Sequence, residues 1–226
     1  GQIDANLQNA IARDMPDRAP SFFVLDIKGD QIDGFKQRLA DDPGVVRVQS
    51  APMLRGIITR INGRPAADVV GDHWVIAGDR GITYSAAQPA GSKLTEGSWW
   101  PENYTGAPQI SFSAHEAAEM GLKLGDTLTI NVLARDIVGT ITSFRTVDFS
   151  NAAMGFVLSV NPAAIAGAPH TFIATIYADQ DAEAAILRDL ASASPNIPAI
   201  RLPDAIDRVA RVLRGLAPRP SSRPSC

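Results

Sequence analysis

Apolar positions along this chain follow two rhythms, and the order strand, helix, strand occurs twice. Residues 21–28 are almost continuously apolar and read as a buried strand. Strict alternation puts Phe23, Leu25 and Ile27 on one face and Phe22 and Val24 on the other. Asp30 then offers a helix cap, and Ile32, Phe35 and Leu39 form a stripe at helical spacing that Pro43-Gly44 ends. The run VVRVQSA, from Val45, is the next strand. Far along the chain the order returns. TFIATIYA (171–178) is a strand, Ile186 and Leu190 share one helical face, Pro195 ends that helix, and NIPAIRL closes as a strand. Two βαβ units in one sheet predict an α+β fold with a ferredoxin-like split arrangement and both helices on one face. The face without helices is apolar too, so it must meet a partner or another part of the chain.

Between the two units the rhythm is mostly that of β-structure with frequent turns. Asn62-Gly63 is a tight-turn pair after RGIITRI. Strand-like stretches surround Gly78-Asp79-Arg80-Gly81. EGSWWP reads as a loop, the run 125–149 as two β segments, and MGFVLSVNP as another. Asn161 caps a short helical turn with Pro162 at its first position. Both flanks are amphipathic. Leu7, Ile11 and Met15 share one face of a short helix ended by Pro16 and Pro20. Ile206, Val209, Leu213 and Leu216 form one stripe of another. Residues 217–226, APRPSSRPSC, have little to bury and are expected to be disordered.

Composition removes several classes. Lys and Arg number 21 against 24 Asp and Glu, a net charge of −3, and the basic residues are scattered rather than striped, so nucleic acid is not an expected partner. Cys226 is the single cysteine, which excludes a disulfide framework and a cysteine-based metal site. No apolar run reaches the roughly eighteen residues of a membrane span.

Three stretches invite chemistry. SAHEAAEMG resembles a zinc-protease helix, but the second histidine of that motif is Glu119 here. His115 and Glu119 would need a third ligand, and His73 and His170 stand at no helpful spacing. As structure the stretch explains more: Ser113 and Glu116 fit a capping box, and Gly121 sits at a left-handed helix end. GDRGITYS lacks the spacing of a phosphate loop or a nucleophile elbow and reads as a turn. Trp99 and Trp100 are adjacent, so an extended backbone points them apart, one inward and one outward. No catalytic, cofactor-binding or metal residue is therefore expected, and no cofactor. Trp99, Trp100, Phe22 and Val24 are the candidates for contact with a partner or cargo.

SFFVLDIKGDQ, GDRGITYS, EGSWW, GLKLGDTLTINV, ITSFRTVDF and GAPHTFIA occur in this order. Together they resemble the large extracytoplasmic loop of FtsX-like and MacB-like ABC transporter permeases, most closely the YbbP-type branch, over residues 3–216. The resemblance implies porter-like βαβ halves at 21–62 and 168–202 and an inserted, mostly-β, sabre-like subdomain at 63–167. It also implies a membrane-proximal helix in 1–20 and a C-terminal helix at 203–216 leading to the membrane, with both ends close together. By that resemblance the domain is periplasmic, part of an inner-membrane protein, and not an enzyme. ATP hydrolysis would belong to a separate cytoplasmic ATPase subunit whose motion the permease transmits outward to move a lipid-like cargo. The alternatives are a regulatory module that recruits or activates an envelope lysophospholipase or thioesterase, and a metal-dependent hydrolase built on His115 and Glu119.

Overall fold

A computed structural model describes residues 20–147 and 155–201. The helices expected within 3–15 and 203–216 and the tail 217–226 lie outside the described residues. The first unit is β1 (Phe22–Ile27), α1 (Ile32–Ala40) and β2 (Val45–Ile61). A central block follows: β3 (Arg64–Pro65), α2 (Ala66–Val70), β4 (Arg80–Tyr84), β5 (Lys93–Gly97), β6 (Gln109–Ser113), α3 (Ala114–Met120), β7 (Thr127–Val132), β8 (Arg135–Thr146) and β9 (Leu158–Val160). The second unit is β10 (Thr171–Ala178), α4 (Glu183–Ala193) and β11 (Ala199–Arg201). This is an α+β fold with one large mixed sheet and few helices. No helix among the described residues is long and apolar enough to cross a membrane.

The sheet runs β11-β1-β10-β2-β4-β9-β6-β8-β5, with β3 paired to β2, and β7 to β2 and β8. The first four strands are antiparallel to their neighbours. They interleave the two units, each placing a strand between strands of the other. Phe22 pairs with Arg201 across β1 and β11, so the chain enters and leaves the described structure at the same place on the sheet.

β2 is longer than the sequence pattern suggests. VVRVQSA and RGIITRI are one strand that passes through Pro52. Its first part pairs with β10 as far as Met53, and from Leu54 onward it pairs with β4 and β7. Pro52 lies where β2 has β10 alone as neighbour, where its missing N–H is tolerated. The Asn62-Gly63 turn then folds the chain back onto β3, both residues having positive φ, as a two-residue hairpin turn requires.

Two apolar cores flank this shared strand. In one, Ile32, Phe35 and Leu39 of α1 and Ile186 and Leu190 of α4 pack on Phe22, Val24, Ile27, Ala174 and Ile176. The other gathers Leu54, Ile58 and Ile61 of β2 with Ile82, Ile110, Phe112, Leu128, Ile130 and Ile141. β2 therefore changes cores between Val48, which packs against the first, and Leu54, which belongs to the second.

Two local expectations are corrected. Ile27 lies with Phe22 and Val24, not with Phe23 and Leu25, because the register shifts between Val24 and Ile27 and Asp26 adopts φ 57°. One extra residue in a strand reverses the faces beyond it. Asp30 does not cap α1. Gln31 precedes the helix, and its side-chain Oε1 accepts from the Lys28 N–H at 3.2 Å, closing the preceding turn instead.

Candidate functional site

Trp99 and Trp100 follow β5 in a loop without regular structure. There the alternation rule for extended chains does not hold. Instead of pointing apart, the two rings lie together, centroids 4.2 Å apart and tilted by 37°. Their indole N–H groups donate to neighbouring carbonyls of one loop, Trp99 to Ala86 O at 3.1 Å and Trp100 to Ser85 O at 2.8 Å. Trp100 is 3% exposed, whereas Trp99 is half-buried. The pair thus pins the 85–86 loop and leaves part of one indole at the surface. Phe22 and Val24 are elsewhere and present no surface, both 0% exposed beneath α1 and α4. The side they occupy is the helix-covered one, and this is what the two parities could not distinguish.

The HEAAE stretch forms α3 as expected, two turns ended by Gly121 at φ 69° and ψ 25°. The Leu122 N–H reaches Ala117 O and the Gly121 N–H reaches Ala118 O, the paired bonds of a Schellman end. The start differs from a capping box. The Ser113 hydroxyl donates to the Glu116 carboxylate instead of accepting a backbone N–H. Glu116 is 4% exposed and helps offset the charge of Arg145. Arg145 in turn donates to Phe156 O at 2.8 Å and Ser159 Oγ at 3.1 Å. Burial lowers the pKa of Arg145 to about 10, with Glu116 opposing the shift, so the guanidinium remains charged at neutral pH.

The fold also brings His73 to this helix, a neighbour that sequence spacing did not reveal. Its Nε2 lies 3.3 Å from Glu119 Oε1, while His115 Nε2 lies 3.7 Å from the same oxygen. One donor atom each from His115, Glu116 and Glu119 fall within 4.8 Å of one another. The local bonding suits a metal poorly. His73 Nδ1 accepts the Val75 N–H at 3.2 Å, which places the ring proton on Nε2, the nitrogen facing Glu119. A ligating Nε2 would need the opposite tautomer. Glu116 is turned inward to Ser113. His73 and Glu119 act as a polar clamp between α3 and the turn at Trp74–Ile76.

Arg80 of GDRG also turns inward. It is 0% exposed, its Nε donates to Val75 O at 2.7 Å, its Nη2 donates to Trp74 O, and the guanidinium lies 5.2 Å from the Trp74 ring centre. Desolvation lowers its pKa to about 10, with Asp79 opposing. A side chain committed to these carbonyls is not aimed at a phosphate. His170 stands apart from the other imidazoles. It donates through Nδ1 to Ala168 O at 2.9 Å and accepts the Tyr84 hydroxyl at Nε2, also at 2.9 Å. This ties the start of β10 to β4, and burial raises the pKa of Tyr84.

Sequence reasoning passed over Leu133, which is 69% exposed at the β7–β8 turn, with Val138 55% exposed nearby on β8. The signal was present: Leu133-Ala134 occupies the two central positions of a hairpin turn without Asn or Gly.

No family model matches the chain. It is similar to a protein of Escherichia coli (strain K12) described as the uncharacterized ABC transporter permease YbbP, with 23% identity over 159 residues. The aligned stretch is 70% of this chain and spans 19% of the length of that relative.

Proposed function

We propose that this chain is an extracytoplasmic domain of an ABC transporter permease. The observation that carries this reading is the similarity to a described permease over 70% of the chain. The Phe22–Arg201 pairing supports it, because a domain inserted between two membrane segments needs its entry and exit side by side. The antiparallel order β11-β1-β10-β2 supports the ferredoxin-like, porter-type arrangement of the first and last segments, with 63–167 as the inserted subdomain. In this function a cytoplasmic ATPase subunit drives the motion, and the domain carries it to the outer side of the membrane. Labelling tests the location. With Glu102→Cys in the full-length protein, otherwise free of reactive cysteines, a membrane-impermeant maleimide should label intact spheroplasts. Labelling only after lysis overturns the placement.

The cargo we propose is hydrophobic and lipid-like. The half-buried Trp99 indole supports this, being an amphipathic ring with an apolar body open to contact. Phospholipid vesicles should shift the tryptophan emission of the wild-type chain, and Trp99→Phe should abolish that shift. An unchanged wild-type spectrum at all lipid concentrations removes direct cargo contact by Trp99.

A further inference from the structure

The Asn62-Gly63 turn is a reactive pair of residues as well as a fold signal. Glycine has no side chain to crowd its backbone nitrogen, so in an Asn-Gly sequence that nitrogen can attack the asparagine side-chain carbon. Both residues are exposed, and the space beside Gly63 is open. The Asn62 amide, however, is held at both ends. Its Oδ1 accepts the Thr127 N–H at 2.9 Å, and its Nδ2 donates to Asp126 Oδ1 at 3.1 Å. The Asn62 backbone N–H donates to Thr127 O at 2.8 Å, so the two segments grip each other reciprocally. Asp126 is fixed in turn. Its Oδ2 accepts the Lys123 N–H at 2.8 Å, and its backbone carbonyl accepts the Ile141 N–H, also at 2.8 Å. A carboxamide bonded through both its oxygen and its nitrogen is not free to rotate its carbon onto the Gly63 nitrogen.

We propose that Asn62 is a deamidation site kept closed by Asp126, and that its modification permanently undoes the corner joining β2 to β7. The step needs only water. The Gly63 nitrogen bonds to Asn62 Cγ, the Cγ–Nδ2 bond breaks, and ammonia leaves with the Gly63 amide proton, giving a five-membered imide. Water then opens the ring at either carbonyl and yields aspartate or isoaspartate at position 62. Neither product restores the clasp. Aspartate replaces the donor facing Asp126 with a second carboxylate, two like charges at hydrogen-bond distance. Isoaspartate lengthens the main chain by a methylene inside a two-residue turn, which the Ile61–Arg64 pairing does not accommodate. The rate of modification therefore follows local opening of this corner rather than unfolding of the whole chain. The inference does not rest on the permease function.

Incubating the full chain in mildly alkaline buffer, with mass spectrometry of the peptide that contains Asn62, tests it. Unfolded in guanidinium chloride, the chain should convert Asn62 to the acid forms several-fold faster than the folded wild type does. Asp126→Ala should accelerate conversion in the folded chain several-fold. Phe35→Ala, in the other core, should leave the rate at the wild-type value. Asp126→Asn keeps one acceptor oxygen at the corner and serves if Asp126→Ala fails to fold; it too should exceed the wild-type rate. Equal rates in the folded and unfolded wild type overturn the proposal, as does a folded Asp126 variant that reacts no faster than wild type. Equal acceleration by Phe35→Ala and Asp126→Ala also overturns it, because the reaction would then belong to globally unfolded chains.

Discussion

Leu133 and Ala134 have φ values of 50° and 65°, a left-handed pair at a position where Asn-Gly is the favoured choice. A side chain in that region costs about 1–2 kcal/mol per residue, because Cβ crowds the following carbonyl. Leu133 is 69% exposed, so replacing it removes little packing. Leu133→Asn with Ala134→Gly should therefore stabilise the chain by about 1–2 kcal/mol, less the entropy cost of the added glycine. A higher urea midpoint with unchanged slope is the expected result; a lower midpoint would show that Leu133 makes contacts its exposure does not suggest. The same scale explains why the histidines were hard to place from sequence. His73 and Glu119 meet only because the Trp74–Ile76 turn lands beside α3, and no periodicity encodes that meeting.

Among the elements, β2 is decisive because it contributes to both cores. Gly56 sits where it passes between β4 and β7. A Cβ there would lie 2.5 Å from Ile82 Cδ1 and 2.9 Å from Ile130 Cγ2, both core side chains. Gly56→Ala should cost about 1–3 kcal/mol through overpacking. Chemical denaturation measures this, and a neutral result would show that Ile82 and Ile130 have free rotamers to move into. The helices were the most legible elements, since α1 and α4 carry stripes of 3–4 spacing that became their buried faces. β1 was legible except for its faces. The bulge at Asp26 moves Ile27 across the sheet, and nothing in FFVLDI announces the extra residue.

For the whole molecule, two cores joined through one strand imply regions that respond separately to damage. Phe35, 4% exposed, packs in the core formed by α1, α4 and the first four strands of the sheet. Phe35→Ala should cost about 3–5 kcal/mol by leaving a cavity there. Amide exchange should then accelerate in β1, β10 and β11 while β6, β7 and β8 keep their protection. Equal acceleration throughout would mean that β2 couples the cores into a single cooperative unit.

The sequence by itself determined what depends on neighbours along the chain: two strand–helix–strand units, the Asn62-Gly63 turn, the Gly121 helix end and the α+β class. It also contained, in ordered short motifs, the resemblance that the comparison with a permease supports in its coarse form. Tertiary structure decided what depends on distant partners. It placed Phe22 and Val24 under helices, brought Trp99 and Trp100 onto one loop, set the charge of Glu116 against Arg145, and set His73 against Glu119. The physical reason is common to all four. Periodicity specifies a side chain's direction relative to its own backbone, whereas burial and hydrogen bonding depend on which remote segment arrives opposite, and that is known only once the sheet has assembled.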